Sequence, residues 1–286
     1  MNPTTIPTDI YRMLITKKLA EGADVEAIAD TFAEECREAF VQALGPPQVR
    51  EGSLRLSAVG KPNRQLYNAF HGVAGEELTG STYIKFLYGH IIEALVLALT
   101  EASGHEVTEK QKECVVEGVK GHQDARIDGV LCDVKSASAY GFKKFKNRQM
   151  PFDDAFGYVA QMKAYAAHEG DTKYGWLVMD KQSGELVWSG YDEATMTEAE
   201  KEVFDYDIRE RVIDVKKLVA GDLPPLCYQP VPDGKSGNVK LAVGCSYCAF
   251  KATCFPGLRT FIYANGPKYL TKTINVPKVT EVIDGF

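Results

Sequence analysis

The sequence predicts a mixed α/β fold, a central sheet of mixed strand direction flanked by helices. Apolar residues recur at helical spacing up to about residue 102, the period changes to two from about 106, and helical and strand-like segments then alternate to about 218. The chain has 286 residues, 45% of them hydrophobic and 25% charged, which is the composition of a folded protein with a sizeable core. Wholesale disorder, collagen-like and low-complexity architectures are excluded on that ground.

The first 45 residues read as two helices. Asp24 is placed to cap the second, whose Val25, Ile28, Phe32 and Phe40 fall on one face, and Gly45-Pro46-Pro47 stops it. A further helix is expected over about 63–71. Residues 81–102 form the most hydrophobic helix, with Phe86, Leu87, Ile91, Leu95 and Leu99 as its apolar face and Ser103-Gly104 at its end. Residues 106–119 have strand-like composition, and 121–137 (GHQDARIDGVLCDVKSA) reads as a hairpin about Asp128-Gly129, a pair suited to a type I′ turn. A basic loop at 141–151 leads to a helix over 153–169, then to strands at Trp176–Met179 and Glu185–Trp188 joined by Ser183-Gly184. A charged amphipathic helix covers about 193–218, and the remainder is rich in Gly, Pro and Cys. The expected organisation is an N-terminal helical region (1–80), an α/β core (81–220) and a cysteine-bearing C-terminal region (221–286) packed on the core.

Lys plus Arg number 33 against 39 Asp plus Glu, a net charge of −6, so bulk attraction to nucleic acid is absent. Any phosphate-binding role must rest on local basic surface or on metal ions. The apolar run Ala94 to Leu99 is far shorter than the roughly 20 residues that span a bilayer. Residues 1–22 lack a continuous hydrophobic stretch with a cleavage site. No membrane segment and no secretory signal are expected, and a cytoplasmic location is.

With Asp128-Gly129 as the turn, Ile127 pairs with Val130, Arg126 with Leu131, Ala125 with Cys132, and Asp124 with Asp133. One face then carries Asp124, Asp133, Lys135 and His122, and the other carries Ala125, Ile127, Val130, Cys132 and Val134, a run suited to the core. Opposed carboxylates on adjacent strands repel unless something cationic sits between them. Magnesium or manganese, which prefer carboxylate and water oxygens, would supply that charge, with Lys135 beside them to orient a water or stabilise charge on a phosphate. A solvated strand face with a Lys–Asp ion pair is the plain alternative. In GHIIE, His90 and Glu93 share a helix face, and Glu93 is a candidate third oxygen ligand. Gln161 and Tyr165, four apart with Tyr158 beside them, make a neutral pair for contacting phosphate or base, or else ordinary packing.

The run Phe142-Lys143-Lys144-Phe145-Lys146-Asn147-Arg148 directly after the Asp133–Lys135 strand is a candidate for tracking a phosphate backbone and stacking on bases, with Arg64 and Lys61 as weaker candidates. Three of the seven cysteines, Cys245, Cys248 and Cys254, crowd into ten residues. Without a secretory signal such a cluster reads as metal ligation or redox chemistry rather than disulfides. Cys36, Cys114 and Cys132 read as buried small hydrophobes.

Taken in order, GHIIE (89–93), GHQD (121–124), DVK (133–135) and QMKAY (161–165) resemble the RecB-like branch of the PD-(D/E)xK nuclease superfamily. The resemblance implies a restriction-endonuclease-like core and metal-dependent hydrolysis of DNA phosphodiester bonds. It maps the site onto Glu93, Asp124, Asp133, Lys135, Gln161 and Tyr165, with the Val134 carbonyl as a further metal ligand. The segment from Cys245 to Pro256 resembles the cysteine cluster of CRISPR-associated RecB-like exonucleases and of the AddB nuclease, which implies a [4Fe–4S] cluster, and the stretch PPLCYQPVPDGKSGN around Cys227 resembles phage-encoded exonucleases of the group. The family's cysteine before Arg-x-Leu-Tyr is missing, since Lys61-Pro62-Asn63 precedes Arg64 here, and Cys227 is the substitute fourth ligand. Structural zinc is the alternative occupant of the four thiols.

The expected function is therefore a magnesium- or manganese-dependent DNA exonuclease of phage type, used in recombination, repair or degradation. Its partners would be DNA and a recombination or single-strand-binding protein. A non-cleaving DNA-binding adaptor with this fold and a structure- or site-specific endonuclease are the competing readings.

Overall fold

The computed structural model describes residues 1–46, 52–77, 79–264 and 266–282. The helices are α1 (Ile6–Thr16), α2 (Val25–Leu44), α3 (Asn63–Phe70), α4 (Gly80–Ala102), α5 (Ala139–Lys146), α6 (Tyr158–Glu169), α7 (Glu198–Phe204), α8 (Ile208–Ala220), α9 (Val243–Ser246) and α10 (Lys251–Cys254). The strands are β1 (Val107–Thr108), β2 (Glu113–Val116), β3 (Val119–His122), β4 (Ala125–Ile127), β5 (Val130–Ala137), β6 (Lys173–Asp180), β7 (Leu186–Asp192), β8 (Val231–Pro232), β9 (Val239–Lys240), β10 (Arg259–Tyr263), β11 (Gly266–Lys272) and β12 (Glu281–Val282). Two compact units share the chain. The first holds α1, α2, Leu54–Gly60 and Ser81–Ile213, and the second interleaves Lys61–Gly80 with the chain from Asp214 onward. Segment 61–80 thus joins the cysteine-bearing residues rather than the N-terminal helices.

A mixed sheet in the order β1-β4-β5-β6-β7 centres the first unit. Only β5 and β6 are parallel neighbours, because α5 and α6 occupy the crossover between them. Alternation along the strands sends Leu131, Tyr174, Trp176 and Val178 into a cluster with Met162 and Ala166 of α6. Cys132, Val134 and Leu177 enter a second cluster with Ile92, Val96 and Leu97 of α4 and Ile6 and Ile10 of α1. Full burial of each large apolar side chain contributes about 1.5–3 kcal/mol, so these two clusters fix α6 on one sheet face and α1 and α4 on the other. The second unit carries a sheet in the order β12-β10-β11-β9-β8.

The β4–β5 hairpin follows its turn chemistry. Asp128 and Gly129 both have positive φ, 51° and 79°, as a type I′ turn requires, and the register Ile127↔Val130, Arg126↔Leu131, Ala125↔Cys132 is the one expected. Residues 119–122 do not belong to it. They pair with β2 in a separate two-stranded hairpin turning at Glu117-Gly118, so His122 lies opposite Glu113 and leaves the expected metal face.

Other expectations are corrected where local pattern competes with tertiary packing. The buried face of α4 is Ile92, Ala94, Val96, Leu97 and Thr100, whereas Phe86 is 54% exposed. A helix apolar around most of its circumference gives hydropathy little phase to read. By length and composition α4 also passes for a membrane span, which the sequence reading did not anticipate; its C-terminal half packs into the core of the first unit. Asp24 caps α2 by accepting the Ala27 N–H at 3.1 Å, but no residue of α2 is buried. The helix ends at Leu44, and Pro47 lies outside the described residues. The basic loop is a helix, α5, capped by Ser138. The long helix over 193–218 is two, because Asp207 caps α8 by accepting the N–H groups of Arg209 and Glu210.

Candidate active site

The β4–β5 ladder stops at Ala125↔Cys132, one step before the expected Asp124–Asp133 pair. Asp124 leaves the ladder, and its Oδ2 accepts the Val134 N–H at 2.7 Å. Directly opposed carboxylates repel, and a backbone donor relieves one of them. The N–H and C=O of a strand residue leave by the same edge, so the Val134 carbonyl opens on the edge where Asp124 sits. Asp133 alternates with Leu131 and so faces α6, at 1% exposure. Its Oδ1 accepts from Gln161 Nε2 at 3.1 Å, and its Oδ2 forms an ion pair with Lys135 Nζ at 2.6 Å, off the hydrogen-bond direction. Gln161 Nε2 also donates to the Tyr165 hydroxyl at 3.3 Å. From α4, Glu93 lines one cleft with Asp124, His90 and Gln111, and its Oε1 accepts from Gln111 Nε2 at 2.7 Å.

These groups strain one another electrostatically. Burial pushes the Asp124 carboxyl well above its ordinary value, and the Asp133 and Glu93 charges push it further. Burial raises Asp133 too, against the pull of Lys135. Glu93 is raised to about 7, by burial first and by the Asp133 charge second. Burial acts to lower Lys135, but Asp133 and Asp124 outweigh it and hold the ammonium protonated beyond its ordinary range. Three carboxyl groups therefore crowd one half-buried lysine. An all-oxygen donor set with surplus negative charge fits magnesium or manganese. Among the described residues, no three His, Cys, Asp or Glu side chains stand in a ready-made metal-binding arrangement.

Several residues that hold this geometry carry no motif. Gln111 sits in a turn with φ +52° and positions Glu93. The Arg126 guanidinium bonds Glu109, Glu169 and Asp171, tying the hairpin to the far end of α6. Gln123, 1% exposed, donates to Glu109. The glycine of GHQD has a steric reason: a Cβ on Gly121 would lie 2.8 Å from Leu56 Cβ and 2.9 Å from Tyr165 Cε1. A glycine here lets Tyr165 close on β3.

The basic run is mostly committed within the protein. Lys144 pairs with Asp153, Lys146 with Glu185, and Arg148 with Glu200 while its guanidinium lies over the Tyr191 ring. Lys143 has no ion pair among the described residues. Arg64 lies in the second unit, where Nη1 donates to the Pro224 carbonyl at 3.0 Å. There it lines a cavity with Cys227, Cys245, Cys248 and Cys254, all free thiols. Burial raises the Cys245 thiol to about 11, with Cys248, Cys227 and Cys254 adding. The four are thus within electrostatic reach of one another.

No protein-family model matches the chain, and no curated protein matches it. Solved structures are similar to it at low identity. SSO0001 is 16% identical, with 78% of this chain and 95% of that one covered at a TM-score of 0.42. An alkaline exonuclease from Laribacter hongkongensis is 11% identical, with 64% and 94% covered at a TM-score of 0.34. The same enzyme in complex with dAMP is 12% identical, with 58% and 92% covered at 0.35.

Proposed function

We propose that this protein is a divalent-metal-dependent deoxyribonuclease that hydrolyses phosphodiester bonds, acting from DNA ends. What supports the reading is the crowding of Glu93, Asp124 and Asp133 about the half-buried Lys135. Those carboxylates and the Val134 carbonyl would hold magnesium or manganese. Such an ion, when bound, supplies Lewis-acid stabilisation of charge on the phosphoryl oxygens. Lys135 is held as a cation by Asp133 and Asp124, so it serves as a hydrogen-bond donor and not as a base. It orients the attacking water and meets the charge that develops on phosphorus-bound oxygen. Gln161 fixes the rotamer of Asp133 and is itself held by Tyr165, while Gln111 does the same for Glu93.

We further infer that the four thiols of the second unit hold a [4Fe–4S] cluster, with zinc as the alternative that the same donors allow. The donor chemistry fits, because the four cysteines line one cavity and lie close enough for each to raise the Cys245 thiol, and a cationic group among them would draw them into thiolate form.

The nuclease reading is tested by digestion of linear and covalently closed circular DNA with magnesium or manganese. Linear DNA should be degraded and circular DNA spared, and Asp133→Ala should lower the rate by about a hundredfold or more. Undiminished activity in that variant overturns the assignment, and cutting of circular DNA replaces end-dependence with endonucleolytic action.

A further inference from the structure

The aromatic residues that the chain order sets beside the basic run are not the ones its fold exposes. Phe142 and Phe145 are buried, at 2% and 4% exposure, in the core beneath α5 and α6. The rings that reach solvent after the catalytic strand include Phe156, 55% exposed, and Phe152, 54% exposed. Phe156 stacks on Tyr158 with centroids 5.5 Å apart and planes 28° from parallel. Tyr158 in turn lies under the Lys135 ammonium, 4.9 Å from ring centroid to Nζ, and Lys135 is the ion-pair partner of Asp133. A continuous ladder thus runs from the buried Asp133 carboxylate through Lys135 and Tyr158 to an exposed phenyl face.

That face is preorganised. The Asp154 carboxylate accepts the N–H groups of Phe156, Gly157 and Val159 at 3.2, 2.8 and 2.8 Å, which locks the loop that presents the ring. Gly157 packs against Gly60 so closely that a Cβ on it would lie 2.7 Å from the Gly60 carbonyl carbon. Phe145 backs Tyr158 from the core side at 6.2 Å. An apolar ring held exposed one ring away from the Lys135 ammonium offers a flat face for a base, and the ammonium offers a charge for the anionic backbone that carries it.

We propose that Phe156 is a nucleobase-stacking residue, and that the substrate strand reaches Lys135 with an unpaired base laid on its outer face. The inference rests on the nuclease reading and names its substrate class: single-stranded DNA, or duplex ends that have opened. A base inside a duplex has both faces covered by its neighbours, so the platform takes a base that is free of internal stacking, as in a single strand or at an opened end.

The test uses the full-length protein with magnesium and a single-stranded oligonucleotide carrying 2-aminopurine near its end. Phe156→Ala should raise KM for that strand about tenfold and leave kcat within about twofold, the size of one lost base–aromatic stack. Phe156→Trp should restore KM, whereas Phe156→Leu, equally apolar but not aromatic, should not. Binding should quench the 2-aminopurine fluorescence in the wild type and not in Phe156→Ala. Unchanged KM, a loss confined to kcat, or full rescue by Leu overturns the stacking role. Should the wild type fail to cleave any DNA, the nuclease reading falls, while quenching that depends on Phe156 still upholds the platform and its absence removes that as well.

Discussion

Replacing Glu93 by Gln should make the metal-free fold more stable at alkaline pH even though it removes a carboxylate that the proposed site uses. Burial, with the Asp133 charge behind it, raises Glu93 from 4.5 to about 7. At about 1.4 kcal/mol per pH unit, that rise means that the ionised form costs the folded state about 3 kcal/mol. The unfolded chain releases this proton near 4.5 and the folded chain near 7, so between those values the folded state binds more protons and stability falls as pH rises. The penalty is absent well below 4.5 and complete above 7. Gln carries no charge and keeps the Oε1 acceptor that Gln111 Nε2 uses at 2.7 Å. Urea unfolding of chelator-stripped wild type and Glu93→Gln, near pH 5 and near pH 8, should show the variant's advantage growing by about 2 kcal/mol. Magnesium added near pH 8 should then stabilise the wild type more than the variant, because only the wild type retains all three carboxylates. An advantage of the same size at both pH values would refute the reasoning, since Glu93 would then not be a desolvated neighbour of Asp133.

Lys135→Met leaves the 1%-exposed Asp133 without its ion-pair partner and should destabilise the fold by about 3–5 kcal/mol in urea titration. The double variant Asp133→Asn with Lys135→Met should recover most of that loss, and a double variant as unstable as the single one would show that uncompensated charge is not the cause. Gly121→Ala forces a Cβ to within 2.9 Å of the Tyr165 ring and 2.8 Å of Leu56. It should lower both the melting temperature and, by about tenfold through displacement of Gln161, the nuclease rate; normal activity would remove Tyr165 from the positioning machinery. Anaerobically purified protein should absorb in the visible and contain iron and acid-labile sulfide, with Cys227→Ser or Cys248→Ser losing both. Stoichiometric zinc would replace the cluster.

Short-range chemistry was the part of this protein legible from the residues in order. The positive-φ pair Asp128-Gly129 sets the hairpin and its register, and strand alternation then puts Asp133 and Lys135 on one face. A helical repeat places Gln161 and Tyr165 together, and capping by Asp24 starts α2 where expected. Each of these depends on a few neighbouring dihedrals, so a local segment carries the whole instruction.

What local segments do not carry is which of several equivalent faces meets a neighbour. The helix α4 carries apolar residues around most of its circumference, and only its packing with Ile127, Cys132 and Leu177 turns Ile92, Val96 and Leu97 inward and Phe86 out. The same holds for the choice of Phe156 over Phe142 as an exposed ring, for the step of Asp124 out of its ladder onto the Val134 amide, and for Gln111 and Arg126, whose side-chain partners lie 17 to 45 residues away in the chain. Residue order alone specifies hydrogen-bonding and steric preferences over a turn or two. Burial, which raises the carboxyl groups, and charge proximity, which keeps Lys135 protonated against it, exist only once distant segments share one low-dielectric space.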